Sequence, residues 1–332
     1  MSTEIEPLVS IEDLVVDFHT LDGTVHALNG VTFDIRKGEI LGLVGETGCG
    51  KTATSLALLR LLPENAEVVN GRIVFDGTEL LGGKSQNIAE IRGRRISMIF
   101  QDPASSLNPV FPIGTQLLDV LRLHYPNADE DDLRKIGEEK LTMTELPDAQ
   151  AIMEMYPHEL SGGMQQRVIM AIALSCSPSL LIADEPTTAL DVTIQAQLLD
   201  LLKKLKQTLG LSVLLITHNL GLVRELSDRI AIMYAGSVVE SAETQQILKN
   251  PLHPYTRGLL SSVVTGRLRG TVLHHIPGSV PSLLRPPQGC RFNPRCPYAL
   301  KVCTEERPKL IEVEHDHYVA CFNMPSEPWW RT

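Results

Sequence analysis

The spacing of apolar and polar positions changes several times along the chain, and those changes mark its elements. Alternating or short apolar runs over 8–18, 25–35 and 40–44, parted by Leu21-Asp22-Gly23 and Lys37-Gly38-Glu39, predict three strands. A hairpin is expected around Gly71–Gly77 and a further strand over Arg95–Phe100. After Gln101 the texture breaks: proline, serine and asparagine cluster from Asp102 to Pro109, and helical spacing then runs to about Ser175. A helix is expected to begin after Ser161, a good N-cap. The apolar runs 180–184 and 212–216 flank a helical pattern over 193–209 that Gly210 ends, and two short strands follow near 229–233 and 237–240. Beyond residue 250 proline is dense and periodicity fades, which predicts an extended arm with little core. Strands alternating with helices give an α/β fold.

At 332 residues the chain has room for two domains of about 150 residues each. No apolar run approaches the roughly 20 residues of a spanning helix, and MSTEIEPLVS lacks the basic and apolar parts of a secretory signal, so a cytoplasmic location is expected. A formal charge of −10 argues against nucleic acid as a partner, because phosphate neutralisation needs a basic face. In that compartment the six cysteines are not expected to pair. Four of them, Cys290, Cys296, Cys303 and Cys321, fall within the last 45 residues.

The sharpest chemistry lies between the 40–44 strand and the next helix. Gly45-Glu46-Thr47-Gly48-Cys49-Gly50-Lys51-Thr52 is G-x-x-x-x-G-K-T in the strand-to-helix setting a phosphate loop requires. Its glycines allow backbone N–H groups to converge on phosphate oxygens, Lys51 reaches the β- and γ-phosphates, and the Thr52 hydroxyl ligates Mg²⁺. The apolar strand at 180–184 ends in Asp184-Glu185, a carboxylate pair suited to Mg²⁺ and to an attacking water, although the same residues suit a plain strand exit. The 212–216 strand leads to Thr217-His218, where His218 is placed for a γ-phosphate.

Together these segments resemble an ATP-binding-cassette ATPase over residues 8–250. Residues 45–52 match its Walker A loop, Gln101 its Q-loop, and Leu160-Ser161-Gly162-Gly163-Met164-Gln165 its signature. Residues 180–185 match Walker B with the catalytic glutamate, Ala189-Leu190-Asp191 the D-loop, and His218 the H-switch. The resemblance implies a RecA-like core, an antiparallel β subdomain and a helical signature subdomain at about 103–175, within a cassette spanning 1–250. It implies ATP and Mg²⁺ as ligands, with Gln101 joining Thr52 and Asp184 around the metal and Phe18 stacking on adenine. It further implies head-to-tail pairs, in which Ser161, Gly162, Gly163, Gln165 and Asp191 face nucleotide held by the partner. Cys49 stands where many members have serine, which makes the loop a candidate for thiol modification.

Gln101-Asp102-Pro103, Ser106-Leu107-Asn108-Pro109 and Asn250-Pro251-Leu252-His253-Pro254-Tyr255 are similar to the dipeptide and oligopeptide permease ATPases. Residues 251–332 are then a C-terminal extension. Its four cysteines lack the C-x₂-C knuckle usual for zinc and suit a [4Fe–4S] cluster, with Zn²⁺ and free thiols as alternatives. The resemblance favours the cluster, with Arg291, Arg295 and Lys301 expected to offset its charge and His315 and His317 as possible substitute ligands. The implied partners are a second, homologous ATPase in a heterodimer, two membrane permease subunits, and indirectly an extracytoplasmic solute-binding protein. The chain would sit on the cytoplasmic face of the membrane. Other cargo (nickel, oligosaccharide), a non-transport cassette ATPase, and a redox-sensing regulator built on the tail are the competing readings.

Overall fold

The computed structural model describes residues 6–82, 88–101, 106–187, 191–262 and 275–324. Asp102–Ser105 of the proline-rich stretch and Ala189-Leu190 of the D-loop lie outside them. The described elements, in chain order, are β1 (Val9–Thr20), β2 (Gly23–Ile35), β3 (Ile40–Val44), α1 (Lys51–Leu58), β4 (Ala66–Phe75), β5 (Thr78–Glu79), α2 (Ile88–Ile91) and β6 (Ile96–Ile99). Helices α3 (Ile113–His124), α4 (Glu130–Met143), α5 (Ala149–Glu154) and α6 (Gly162–Leu174) follow, then β7 (Leu180–Asp184), α7 (Val192–Leu209), β8 (Ser212–Thr217) and α8 (Leu220–Leu226). The chain continues through β9 (Arg229–Tyr234), β10 (Ser237–Glu243), α9 (Thr244–Lys249), α10 (Pro254–Ser261), α11 (Val302–Glu305), β11 (Ile311–Glu314) and β12 (His317–Val319). They form two compact units, one of residues 1–36, 40–83 and 216–332, the other of 37–39 and 84–215.

In the first unit β1, β2, β4 and β5 form an antiparallel sheet in the order β2-β1-β4-β5. Its apolar face buries Leu14, Val16, Leu28, Val31, Ile73 and Phe75, each worth about 1.5–3 kcal/mol in apolar transfer. Strands β3 and β9 pair in parallel from Leu41↔Arg229 to Val44↔Ile232. Both are buried along their whole length, which explains why they read as unbroken apolar runs.

The tail departs from the extended arm its composition predicts. Strand β10 pairs antiparallel with β12, at Glu240↔Val319 and Ser241↔Tyr318, so residues far down the chain extend the sheet. The reason is polar as well as apolar. Glu240 and His317 are fully buried, and His317 Nε2 lies 2.8 Å from Glu240 Oε1. The Glu240 carboxylate also accepts the Leu252 and His253 N–H groups at 2.7 and 2.9 Å. A buried carboxylate satisfied this way fixes the segments that supply its donors.

In the second unit β6 and β7 pair in parallel from Ile96↔Leu180 to Ile99↔Ala183. Helices α3 to α6 make the helical body that the sequence expects, with Leu117, Leu121, Leu133, Leu141, Ile152 and Met153 buried among them. Among the described residues no helix is long and apolar enough to cross a membrane.

Candidate nucleotide site and four-cysteine lobe

The phosphate loop follows β3 and caps α1. Gly50 takes φ 106, and a Cβ there would meet Leu28 Cδ2 at 2.7 Å and Met233 Cε at 2.8 Å. A Cβ on Gly45 would lie 2.1 Å from Met233 O. Neither position tolerates a side chain, so packing against β9 and β2 by itself requires glycine at Gly45 and Gly50. Lys51 is 6% exposed. Its ammonium donates to Gly45 O at 2.8 Å and Glu46 O at 3.1 Å, so the loop's own carbonyls set its direction. Gly48 and Thr52 are exposed, whereas Cys49 is fully buried and 3.8 Å from Lys51 Nζ. Burial pushes the Cys49 thiol up despite the neighbouring ammonium. This corrects the expectation of a modifiable thiol, because a buried, protonated sulfur is a poor nucleophile.

Residues from the far end of the chain reach the same loop. The Glu46 N–H donates to Tyr255 Oη at 3.1 Å, and the Glu46 carboxylate takes Arg295 Nη1 at 3.2 and 2.9 Å. Arg295 also donates from Nε to Pro277 O at 2.9 Å and from Nη2 to Ile276 O at 3.2 Å, and lies over the Tyr234 ring. Tyr234, Tyr255 and Phe292 form a cluster with ring centroids 4.6 to 5.4 Å apart. Such pairs contribute about 0.5–1.5 kcal/mol each beyond area burial. Phe18, the expected adenine platform, is half-buried on β1 opposite Val25 and Ala66. His218 is exposed just beyond β8, beside Asn219, which caps α8 through Gly221 N–H.

All six cysteines are free, and Cys176 lies elsewhere, in the second unit. The tail sulfurs of Cys290, Cys296, Cys303 and Cys321 line one small cavity with Phe292 and Pro308. Burial pushes the Cys296 thiol up to about 11 and Cys321 to about 12, with the neighbouring sulfurs adding to the rise. The four cysteines share the lining of that cavity, and a cation held among them would relieve the mutual repulsion of their thiolates. Four thiols lining one small cavity are a donor set of the kind a soft metal centre uses. A single tetrahedral zinc would hold its sulfurs about 3.8 Å apart, from Zn–S bonds of about 2.3 Å. Among the described residues the set of three ligand atoms lying within 4.8 Å of one another is Glu312, His315 and Asp316, not three of these sulfurs.

Several expectations for neighbouring residues change. Arg295 is committed to Glu46, and Arg291 donates to the carbonyls of His26 and Ala235. Lys301 is exposed and 3.7 Å from Glu305. None of the three is spent on the sulfurs. His317 is buried on Glu240 and His315 sits in the exposed acidic set, so neither substitutes for a cysteine.

In the second unit Gln101 Nε2 donates to Glu185 Oε2 at 2.9 Å, joining the Q-loop residue to the carboxylate after β7. Asp184 is buried at the strand end, and Glu185 has φ 48, a left-handed conformation that costs a non-glycine residue of order 1–3 kcal/mol. Ser161 caps α6 by accepting the Met164 N–H at 3.3 Å, and both Ser161 and Gly162 are exposed. A Cβ on Gly163 would stand 3.0 Å from Ile194, and Asp191 caps α7 through Ile194 N–H at 2.9 Å. The signature turn and the D-loop helix are thus packed together. Gln165 turns its amide to Pro157 O and Leu160 O, at 2.8 and 3.3 Å, and braces that turn.

Sequence reading did not find Tyr255, Tyr234 or Arg295 as neighbours of the phosphate loop. No local spacing could show them, since each is more than 180 residues away.

The ABC transporter family profile matches residues 28–188, and the oligopeptide/dipeptide transporter C-terminal region matches residues 239–303. The chain is 44% identical to the oligopeptide transport ATP-binding protein OppD of Escherichia coli, over 97% of this chain and 95% of that protein. It is 45% identical to the dipeptide transport ATP-binding protein DppD of Bacillus subtilis, over 96% and 95% of the two chains. Among solved structures it is similar to the ATP-binding cassette MJ0796, described as a dimer in a post-hydrolysis state bound to ADP and Pi. That likeness has a TM-score of 0.63 and 27% identity, over 71% of this chain and 98% of that one. Likeness along almost the whole length, tail included, makes this chain a member of the ATP-binding-cassette ATPases of the oligopeptide/dipeptide transporter family.

Proposed function

We propose that this chain hydrolyses ATP to energise an importer of di- and oligopeptides, as a cassette over 1–250 carrying a metal-bearing extension over 251–332. The observation that carries the reading is the end-to-end likeness to OppD and DppD, both described as transport ATP-binding proteins. Lys51 would bind the β- and γ-phosphates, Glu185 would orient the water, Gln101 would hold Glu185 until substrate is in place, and His218 would contact the γ-phosphate. Thr52, Asp184 and Gln101 would hold Mg²⁺, which when bound would supply positive charge beside the phosphates. Phe18 would stack on adenine.

The exposed Ser161 and Gly162, with Gly163, Gln165 and Asp191 behind them, support a face that meets nucleotide on a second, homologous ATPase in a head-to-tail pair. Each chain alone would then assemble half of each site. Two permease subunits on the cytoplasmic side of the membrane would receive the pair, and a solute-binding protein would deliver peptide to them. Cys290, Cys296, Cys303 and Cys321 would hold a [4Fe–4S] cluster, whose chemistry here is structural stapling of a small lobe.

The test is Glu185→Gln in the assembled transporter. Peptide-stimulated turnover should fall at least about a hundredfold with ATP binding retained. Turnover within about threefold of wild type would overturn the catalytic assignment. Failure of the purified chain to co-fractionate with permease subunits, or ATPase activity indifferent to peptide-loaded binding protein, would overturn the transport reading.

A further inference from the structure

Glu46 is gripped at three points, and two of them come from the C-terminal part of the chain. Its N–H is held by Tyr255 Oη, its carbonyl accepts from Lys51 Nζ at 3.1 Å and from Cys49 N–H at 3.2 Å, and its carboxylate is held by Arg295. The Arg295 side chain is 6% exposed and that of Glu46 28%. With Nε and Nη2 already committed to Pro277 O and Ile276 O, the planar guanidinium cannot turn, so the carboxylate on Nη1 is fixed with it. The second consequence concerns charge. A bare carboxylate beside a phosphate cradle would repel the ligand that the cradle binds, and a half-buried setting strengthens that repulsion. Arg295 cancels it.

Arg295 is also the residue directly before Cys296, and Phe292, in the same turn, packs on Tyr234 and Tyr255. We infer that Arg295 is a positioning residue for the nucleotide site: it neutralises and fixes Glu46, whose carbonyl directs Lys51, so the four-cysteine lobe is a working part of phosphate binding. This rests on the reading of residues 45–52 as the nucleotide site, and it holds whichever metal the lobe carries.

The experiment measures Mg-ATP binding to the purified full-length chain by titration calorimetry, with metal content and melting temperature recorded for each variant. Arg295→Gln should raise the ATP dissociation constant about tenfold, the scale of one charge-assisted hydrogen bond. Arg295→Lys keeps the charge but not the fork and should fall between. Glu46→Gln in the Arg295→Gln background should recover most of the lost affinity, because it removes the charge left uncancelled. A merely structural role for Arg295 predicts no such rescue. The inference is overturned if Arg295→Gln stays within about twofold of wild type, or if the double variant binds no better than Arg295→Gln alone. Failure of the nucleotide-site reading looks different: Lys51→Ala would then bind ATP as well as wild type.

Discussion

The phosphate loop and the four-cysteine lobe belong to the same compact unit but are specified in opposite ways. The loop is eight consecutive residues whose backbone is bent by glycines, two of which, Gly45 and Gly50, have no room for a side chain. The lobe's site is made of four side chains spread from Cys290 to Cys321, brought together only by turns, one short helix and a strand borrowed by β10. A contiguous backbone motif keeps its shape because the large sheet beneath it is already stable. A dispersed side-chain site depends on a lobe whose buried apolar side chains, among the described residues, are chiefly Phe292, Cys303, Val319 and Ala320. Small cores of that kind need a staple. The difference teaches that the two should fail differently, and that the dependence between them runs mainly from lobe to loop.

Lys51→Ala should give the largest effect and leave the lobe intact. Two or more charge-assisted phosphate contacts are lost, so ATP affinity should fall on the order of a hundredfold or more. Iron or zinc content per chain should not change. A parallel loss of metal would show that the loop also supports the lobe.

Cys303→Ser attacks the lobe from within, since that sulfur is buried. Metal content should fall by at least about half, with faster amide exchange across the segment from Cys290 to Cys321. ATP affinity should weaken by no more than about tenfold, transmitted through Arg295 and Tyr255. Elemental analysis of the wild-type chain identifies the metal: iron and sulfide support the cluster, and about one zinc per chain would replace it with a structural zinc site.

A further effect, on stability rather than on affinity, is a slope with pH. His253 is buried and its ring Nδ1 accepts the Tyr255 N–H at 3.0 Å, at the start of α10. Burial lowers its pKa from 6.5 to about 4. As pH falls from 6.5 toward about 4, the unfolded chain takes up a proton that the folded chain refuses. Stability is therefore full above that window and declines across it, by up to about 3 kcal/mol, then levels off. His253→Asn keeps a capping acceptor without a proton to gain, so denaturant midpoints of that variant should lose this part of the slope.

Much of the first unit, and the strand ends on which the proposed site residues stand, was legible in the chain because each is a short-range pattern. β1 to β3, β6 to β10 and the helix after Ser161 follow from apolar spacing, turn residues and an N-cap, all settled within a few residues. The phosphate loop, Asp184-Glu185 and His218 were legible for the same reason, standing at the ends of buried apolar runs. The tail was misread where its order comes from outside itself. Its prolines and sparse periodicity predict an arm, yet Glu240 accepts donors from residues 252, 253 and 317 and draws β12 onto the sheet.

By itself the sequence determined that a G-x-x-x-x-G-K-T turn joins a buried strand to a helix, and that four thiols are available near the end of the chain. Those are matters of residue type and near-neighbour spacing, and they survive any arrangement of the rest. Only the tertiary structure decided that Arg295 and Tyr255 hold Glu46, that Cys49 is shut away from reagents, and that Gln101 rests on Glu185. Each of those contacts joins side chains far apart in the sequence. Whether such groups meet depends on packing of the intervening chain, which no local pattern encodes.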